Sequence, residues 1–318
     1  MTYFPKSETT TKRPYGLGGS DIAAVLGLSP YKTPLELWFD LVGRTTQESR
    51  DLLHLRFGQH AESFIAEEYE RRTGFKTHAD QGTVFHSEHD FMFGHIDRFV
   101  IDGSTAKTQG NSSVRPSRIL ECKTASVFNR SEWGDDGTSE VPAAYLLQCV
   151  WYMAMTDCED ADLAALIGNS DFRVYNFKRD LELESLVLEH AKTFWTKHVL
   201  AKCPPPPSST SDLQLLYPKE VVNSRAEANP VVMQTLRDYA EKSESVRSAS
   251  AECEKLKAEI LAFMGEAEQL TFLGKTVATW KCTKPSKRID TKALSNEHPE
   301  IAEKFLQTVL GSRRFLVR

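Results

Sequence analysis

The chain has 318 residues, 40% hydrophobic and 26% charged, a composition ordinary for one large globular domain or two smaller ones. Because no apolar run reaches the ~18 residues of a membrane span and the first residues lack the apolar core of a secretory signal, we expect no membrane association and a cytoplasmic location. The formal net charge of −5 argues against an indiscriminate nucleic-acid binder, and the six cysteines contain no CxxC pair that would indicate a zinc ribbon or redox motif.

Three helices are predicted before the first strand. Ser20 is a candidate N-cap for a short helix over residues 21–26. Thr33 is followed at once by proline and three residues later by Glu36, a capping-box pattern that begins a second helix. Apolar residues at helical spacing predict a third helix over residues 51–73. A helical layer therefore precedes the sheet.

Strands and helices then alternate. The pattern predicts strands over residues 83–86, 91–101, 118–124, 163–167 and 173–177, and helices over residues 141–155 and 182–201. This order indicates an α/β or α+β fold in which helices flank a short mixed β-sheet.

A run of four prolines, in CPPPPSST, marks a change in character along the chain. Proline continues neither a helix nor a central strand, so we predict a domain over residues 1–203 and a second over 204–318; a stiff surface loop inside one domain is the alternative. The second part begins with a long polar helix over residues 231–264. Residues 271–318 hold ten Lys or Arg against four Asp or Glu, either a solvated basic face or a phosphate-contacting surface.

The stretch RILECKTAS, residues 118–126, carries charge beside an apolar run. Alternate side chains of a strand share a face, so Glu121 and Lys123 project the same way. Asp97 ends the preceding strand, where a hairpin would bring it to Glu121. Converging carboxylates repel unless a cation lies between them, and hard oxygen ligands suit Mg²⁺ or Mn²⁺. Lys123 could then orient a nucleophile and neutralise charge in phosphodiester cleavage.

A Glu-x-Lys pattern alone is weak, because composition produces it about once in a chain of this size. Its ordinary meaning is an exposed charge pair of little energetic value. The segment Asp290-Thr291-Lys292 is a near copy, which we interpret as a helix N-cap because no apolar run precedes it. The apolar strand before Glu121 and the acidic end of the strand before that distinguish the first copy from the second.

Two polar residues interrupt predicted apolar helix faces. Glu62 lies beside Ala61 in FGQHAESF and is either a surface glutamate or a third metal ligand. Gln148 lies in the apolar helix segment VPAAYLLQCVWYMA, where burial without a partner would cost about 1–3 kcal/mol. A hydrogen bond in the core would explain Gln148, as would a water or phosphate in an active site.

These residues carry a resemblance to a known group of proteins. The segments RPYGLGGSDIAAVLG, FGQHAESFIAEEYERRTG, GHIDRF, ILECKT and AAYLLQCVWYM occur in family order between residues 13 and 200. In this the chain resembles the PD-(D/E)xK nucleases, and among them the family of YqaJ-type viral recombinases and phage lambda exonuclease. The resemblance implies a restriction-endonuclease-like core, followed by a C-terminal helical and basic extension.

The resemblance also implies an activity and a metal. The expected enzyme is a Mg²⁺- or Mn²⁺-dependent 5′-to-3′ exonuclease that digests one strand of linear double-stranded DNA and leaves 3′ single-stranded overhangs. Its implied metal ligands, for two ions in each active site, are Asp97, Glu121, Glu62 and the carbonyl oxygen of Cys122. Lys123 would position the attacking water.

Five further assignments follow from the same resemblance. Arg13, Ser20 and Gln148 would hold the 5′-terminal phosphate. Leu55 falls where the family places an apolar wedge that splits the terminal base pair, although a core leucine is the commoner meaning. His95 departs from the small hydroxyl residue usual two positions before the aspartate, which leaves one phosphate contact open unless His95 itself donates.

The implied partners are a single-strand annealing protein, as in phage recombination by strand annealing, and two further copies of the chain in a homotrimeric ring around DNA. The location would be the cytoplasm of a bacterial or phage-infected host cell. Two other functions remain open at this point: a restriction-like or junction-resolving DNA endonuclease, which uses the same core, and a non-catalytic DNA-binding or scaffold protein.

Overall fold

In a computed structural model of the chain, the described residues are 14–43, 53–79, 82–101, 116, 118–287, 289–306, 311 and 313–317, without the side chains of His54 and Leu55. They form two compact units, Met1–Leu213 and Gln214–Arg318. The first unit extends beyond the proline run because the fully buried Asp212 accepts a hydrogen bond from Thr33 Oγ1 at 2.6 Å. The division expected at residues 203 and 204 stays a prediction.

The helices of the first unit come both before and after its strands in the sequence. They are α1 (Ile22–Val25), α2 (Pro34–Leu41), α3 (Leu53–Thr73), α4 (Ala143–Thr156) and α5 (Leu181–Phe194), and α6 (Thr210–Leu216) contains the boundary between the units. The strands are β1 (Lys76–His78), β2 (Val84–Phe85), β3 (Phe93–Gly94), β4 (Arg98–Ile101), β5 (Arg118–Ala125), β6 (Asp160–Ile167) and β7 (Asp171–Lys178).

Five strands form one mixed sheet in the order β1-β4-β5-β6-β7. All neighbours are antiparallel except β5 and β6, which run parallel over their whole length. A parallel pair requires a crossover connection, and α4 supplies it. The expected fold class, α/β with a short mixed sheet flanked by helices, is thereby confirmed.

The side chains of β5 alternate between two helices. Leu120 and Cys122 belong to a core cluster with Ile65 and Tyr69 of α3. Glu121 and Lys123 point to the opposite face, where α4 packs. Helices therefore cover both faces of the strand, and on the α4 side Glu121 is buried while Lys123 is half-buried.

Two local predictions were wrong. Ser20 caps no helix: it lies exposed inside a 3₁₀ turn, Gly19–Asp21, whose buried Asp21 accepts from Gly18 N at 2.9 Å. The single strand expected over residues 91–101 is divided into β3 and β4, which belong to different sheets. Asp97 lies in the break between these two strands, directly before the first residue of β4.

The second unit is mainly helical. It contains α7 (Pro230–Met264), α8 (Thr291–Glu297) and α9 (Pro299–Lys304), with a hairpin of β8 (Gln269–Phe272) and β9 (Lys275–Thr279). Asp290 caps α8 by accepting from Lys292 N and Ala293 N, as predicted for the near copy of the charged motif. None of the helices that the structure describes combines the length and the apolar character needed to cross a membrane.

We expect Thr33→Ala to lower the free energy of unfolding by about 1–2 kcal/mol, because the side chain both caps α2 through Glu36 N and donates to the buried Asp212. Thr33→Ser keeps the hydroxyl and should stay near the wild type. Urea unfolding of the two variants makes the comparison, and equal losses would contradict the capping role.

Candidate active site

The break before β4 places Asp97 against β5. β4 pairs with β5 only as far as Arg98 opposite Leu120, so the backbone of β5 beyond Leu120 needs another partner on that side. Asp97 supplies it: its Oδ2 accepts from Cys122 N at 2.8 Å. The carboxylate of Asp97 is thereby fixed beside Glu121, the neighbour predicted from the sequence.

Glu121 is the most buried charged group of this cluster, with 1% of its surface exposed. Its Oε1 accepts from Gln148 Nε2 at 2.6 Å and lies 2.5 Å from Lys123 Nζ. Its Oε2 is fully buried, and no described group bonds to it. A buried carboxylate oxygen without a donor is costly, so the arrangement favours an additional positive partner.

The electrostatics of this cluster follow from burial. Burial raises the pKa of Glu121 to about 8, and the nearby Asp97 carboxylate adds to this rise while Lys123 opposes it. Burial also raises the pKa of Asp97, opposed by Lys123 and by the Cys122 amide. For Lys123, burial alone favours the neutral amine, but the carboxylates of Glu121 and Asp97 outweigh it and raise its pKa. Lys123 therefore keeps its positive charge beside the two carboxylates.

Gln148 is held by a neighbour one helical turn along α4. Its Nε2 also bonds to the hydroxyl of Tyr152 at 2.9 Å. The Tyr152 ring is confined by two glycines: a Cβ on Gly19 would lie 2.5 Å from it, and a Cβ on Gly94 would lie 2.9 Å from it. The hydrogen bond considered for Gln148 is thus present, and its acceptor is the Glu121 carboxylate.

Glu62 approaches from α3, on the other side of the sheet. Its carboxylate forms an ion pair with Arg98, whose Nη1 also donates to the carbonyl oxygen of Asp97 at 2.5 Å. The negative charge of Glu62 adds to the rise of the pKa of both Asp97 and Glu121. Glu62 is half-buried and paired with Arg98, and its role as a third metal ligand stays a prediction.

The described residues contain no group of three or more His, Cys, Asp or Glu side chains arranged to hold a metal ion. Glu62 is turned to Arg98 rather than to the other two carboxylates. The donors nevertheless fit a hard cation, because Asp97 and Glu121 supply carboxylate oxygens and Glu121 Oε2 has no described partner. Asp97 and Glu121 are therefore the pair around which a metal site could form.

The remaining predicted site residues are placed less directly. The turn that contains Ser20 packs against α4 beside Tyr152, so it lies one side chain away from Gln148. His95 is exposed and its Nε2 lies 3.0 Å from Thr83 Oγ1. Arg13 and the side chain of Leu55 lie outside the described residues, and their assigned roles stay predictions.

Three residues of the site were missed in the sequence. Arg98 directly follows Asp97 in GHIDRF, so a basic residue next to the predicted metal ligand was a visible signal. Tyr152 lies four residues after Gln148, the spacing at which helical side chains meet. Tyr145 gave no signal, since only the fold brings its ring to 5.6 Å from Lys123 Nζ.

Two sequence comparisons bear on this arrangement. Residues 10–159 match the model of the YqaJ-like viral recombinase domain, a range that holds the carboxylates, the lysine and the glutamine. The YqaJ protein of Bacillus subtilis (strain 168) is 30% identical over 305 residues, which cover 94% of this chain and 90% of that protein.

Solved structures give a more distant likeness. An alkaline exonuclease from Laribacter hongkongensis is 14% identical, with a TM-score of 0.45, over 59% of this chain and 90% of that one. A phage-related exonuclease from Haemophilus somnus 129PT is 15% identical, with a TM-score of 0.40, over 57% of this chain and 92% of that one.

We expect the metal-free protein to lose stability as the pH rises from about 5 to 9. The pKa of Glu121 is higher in the folded state, about 8, than its ordinary value of 4.5, so the folded state binds a proton that the unfolded state does not. Stability is then lost from pH 4.5 upward, and the full loss is reached above pH 8. Glu121→Gln keeps the neutral shape and should remove the part of this pH dependence that Glu121 contributes.

The measurement is the thermal midpoint of both proteins in chelator at several pH values. The advantage of Glu121→Gln should grow by several degrees across the range. If the thermal midpoints of the two proteins change in parallel with pH, the pKa of Glu121 is not raised in the folded state.

Proposed function

This chain belongs to the family of YqaJ-like viral recombinase domains, and we propose that it is a metal-dependent nuclease that digests one strand of linear double-stranded DNA from the 5′ end. The 3′ overhangs that remain would be the substrate of a single-strand annealing protein.

One observation carries the proposal. The buried Glu121 shares its Oε1 between Lys123 and Gln148 and leaves its Oε2 without a described partner. A merely structural ion pair would satisfy both oxygens, since an unpaired buried polar atom lowers stability. The geometry therefore supports a site in which Glu121 can bind a cation and Lys123 can bind an anionic substrate in place of their mutual ion pair.

The residues that would hold the cation are Asp97 and Glu121, with Glu62 and the Cys122 carbonyl oxygen as further ligands. Mg²⁺ or Mn²⁺ bound there would polarise the phosphodiester and make water a stronger nucleophile at neutral pH. The number of ions, two by the family resemblance, is part of this proposal.

The chain's own groups account for the rest of the chemistry. Lys123 remains charged beside the carboxylates, so it can hold a water or hydroxide in line with the phosphorus and neutralise charge that develops on a phosphate oxygen. Gln148 fixes the orientation of Glu121 and is itself fixed by Tyr152. These hydrogen bonds limit the motion of Glu121, Gln148 and Tyr152. Such fixed positions are what phosphodiester cleavage requires of the groups around the reacting atoms.

End selection and assembly are further parts of the proposal. The exposed Ser20, on the turn next to Tyr152, would contact the 5′-terminal phosphate together with Arg13 and Gln148. A ring of three copies would keep the enzyme on its duplex, and light scattering of the purified protein measures that state. A basic inner surface would let a chain of net charge −5 bind DNA.

We expect Lys123→Ala to reduce digestion of 5′-phosphorylated linear duplex DNA by at least about a hundredfold, because the charge that faces the scissile phosphate is lost. Binding to duplex DNA in Ca²⁺ should change little. Lys178→Ala removes a lysine that is 83% exposed on β7 and serves as the matched control. Release of labelled nucleotides is the readout.

Unchanged digestion by Lys123→Ala would refute the assigned site. On the wild type, linear DNA without a 5′ phosphate should be digested more slowly than phosphorylated DNA, and covalently closed circles should stay intact. Cleavage of closed circles would instead identify the endonuclease that shares this core.

Metal binding can be tested without catalysis. We expect Mn²⁺ to raise the thermal midpoint of the wild-type protein by several degrees, because it relieves the unpaired Glu121 and offsets the repulsion from Asp97. Asp97→Asn should abolish most of this rise. Asp290→Asn alters the near-copy motif while keeping a good helix cap, and should behave as wild type. An equal rise in Asp97→Asn would argue against the site.

A further inference from the structure

A cavity of about 660 Å³ opens beside the candidate active site, at the carboxyl end of β5. Thr124 and Ala125, which directly follow Lys123, line it. So does Tyr145, whose ring centroid lies 5.6 Å from Lys123 Nζ. The cavity adjoins Lys123 through the Tyr145 ring, while Lys123, Asp97, Glu121 and Glu62 are themselves not among its described lining residues.

Four aromatic side chains contribute to the wall of this cavity. Trp133 and Tyr145 form a stacked pair with ring centroids 5.3 Å apart and planes inclined by 25°. Tyr31 and Phe57 also line it, although 76% and 53% of their surfaces are exposed. Burial raises the pKa of Tyr145, and the neighbouring Tyr31 side chain adds to this rise, so the most exposed ring adjoins the stacked pair. The wall thus offers flat apolar faces that water still reaches.

The charge of the cavity excludes a phosphate as its occupant. Its lining, as far as the structure describes it, contains no Lys or Arg and one acidic residue, Glu132. The polar groups at hand are short and neutral, from Thr124, Ser126 and Asn129. Such a surface suits a flat, uncharged ring with hydrogen-bonding edges rather than an anion.

We propose that this cavity binds the nucleobase of the nucleotide attached to the scissile phosphate. With the phosphate at Lys123, the attached base reaches the aromatic wall, where it stacks on Tyr31 and Phe57 while Ser126 and Asn129 contact its edge. Every base has a flat face, so the site accepts all four. This inference rests on the proposed function for the position of the phosphate and adds the part of the substrate that nothing above assigns.

The first test needs no catalysis. In chelator, isothermal calorimetry compares dAMP with deoxyribose 5-phosphate, which lacks the base. One base on an aromatic ring contributes about 1–3 kcal/mol, or about five- to 150-fold in affinity. We expect dAMP to bind wild type tighter by such a factor, and Tyr31→Ala and Phe57→Ala to reduce that factor at least threefold.

Phe64→Ala is the matched control, because Phe64 lies on the same helix as Phe57, is 54% exposed against 53%, and does not line the cavity. It should keep the wild-type preference for dAMP. Equal affinity of wild type for the two compounds would overturn the proposal. So would an equal loss in Phe64→Ala, or a change of oligomeric state in Tyr31→Ala with nucleotide affinity retained, which would show a second copy covering the cavity.

The second test uses duplex ends whose first released nucleotide carries either a base or an abasic analogue, with the phosphate present in both. The wild type should release the abasic unit at least fivefold more slowly, and Phe57→Ala should bring the two rates together by slowing only the natural end. Equal wild-type rates would overturn the base site. If no end is digested while the preference for dAMP persists, the exonuclease proposal fails and the base site stands.

Discussion

The burial of one carboxylate determines most of this structure. Glu121 lies on the central strand pair of the sheet, closed off by α4 on its own face and with α3 packed on the other. A carboxylate there is tolerable only if cations and donors surround it. Lys123 and Gln148 meet that requirement, whereas Asp97, placed by the break before β4, adds a second negative charge beside Glu121. One oxygen, Glu121 Oε2, has no described partner, and it is there that the proposed cation would bind.

The sequence predicted the positions of helices and strands better than it predicted which strands pair. The pairing of Asp97 with β5 and the common face of Glu121 and Lys123 follow from strand geometry, and both are present. The division of β3 from β4 could not be predicted, because local pattern does not show which strand pairs with which. Ser20 has the right chemistry for a helix cap, but Asp21 provides the hydrogen bond there.

The ambiguous residues of the sequence were resolved by long-range contacts. Gln148 interrupts an apolar helix because its partner is a glutamate elsewhere in the chain. Glu62 faces Arg98, a pairing between α3 and β4 that no spacing rule within one element predicts. Phe57 and Phe64 fit the apolar stripe of α3 and yet are both exposed. The spacing of apolar residues shows which side chains share a face of a helix, but only the tertiary fold determines which face is buried.

The confinement of Tyr152 links two distant parts of the chain. Gly19 lies in a turn before α1 and Gly94 ends β3, and neither has room for a methyl group while the ring is present. Packing therefore couples the side chains that these three positions can hold. With a smaller residue at position 152, alanine would fit at both glycine positions, and Gln148 would then need another partner to hold its orientation.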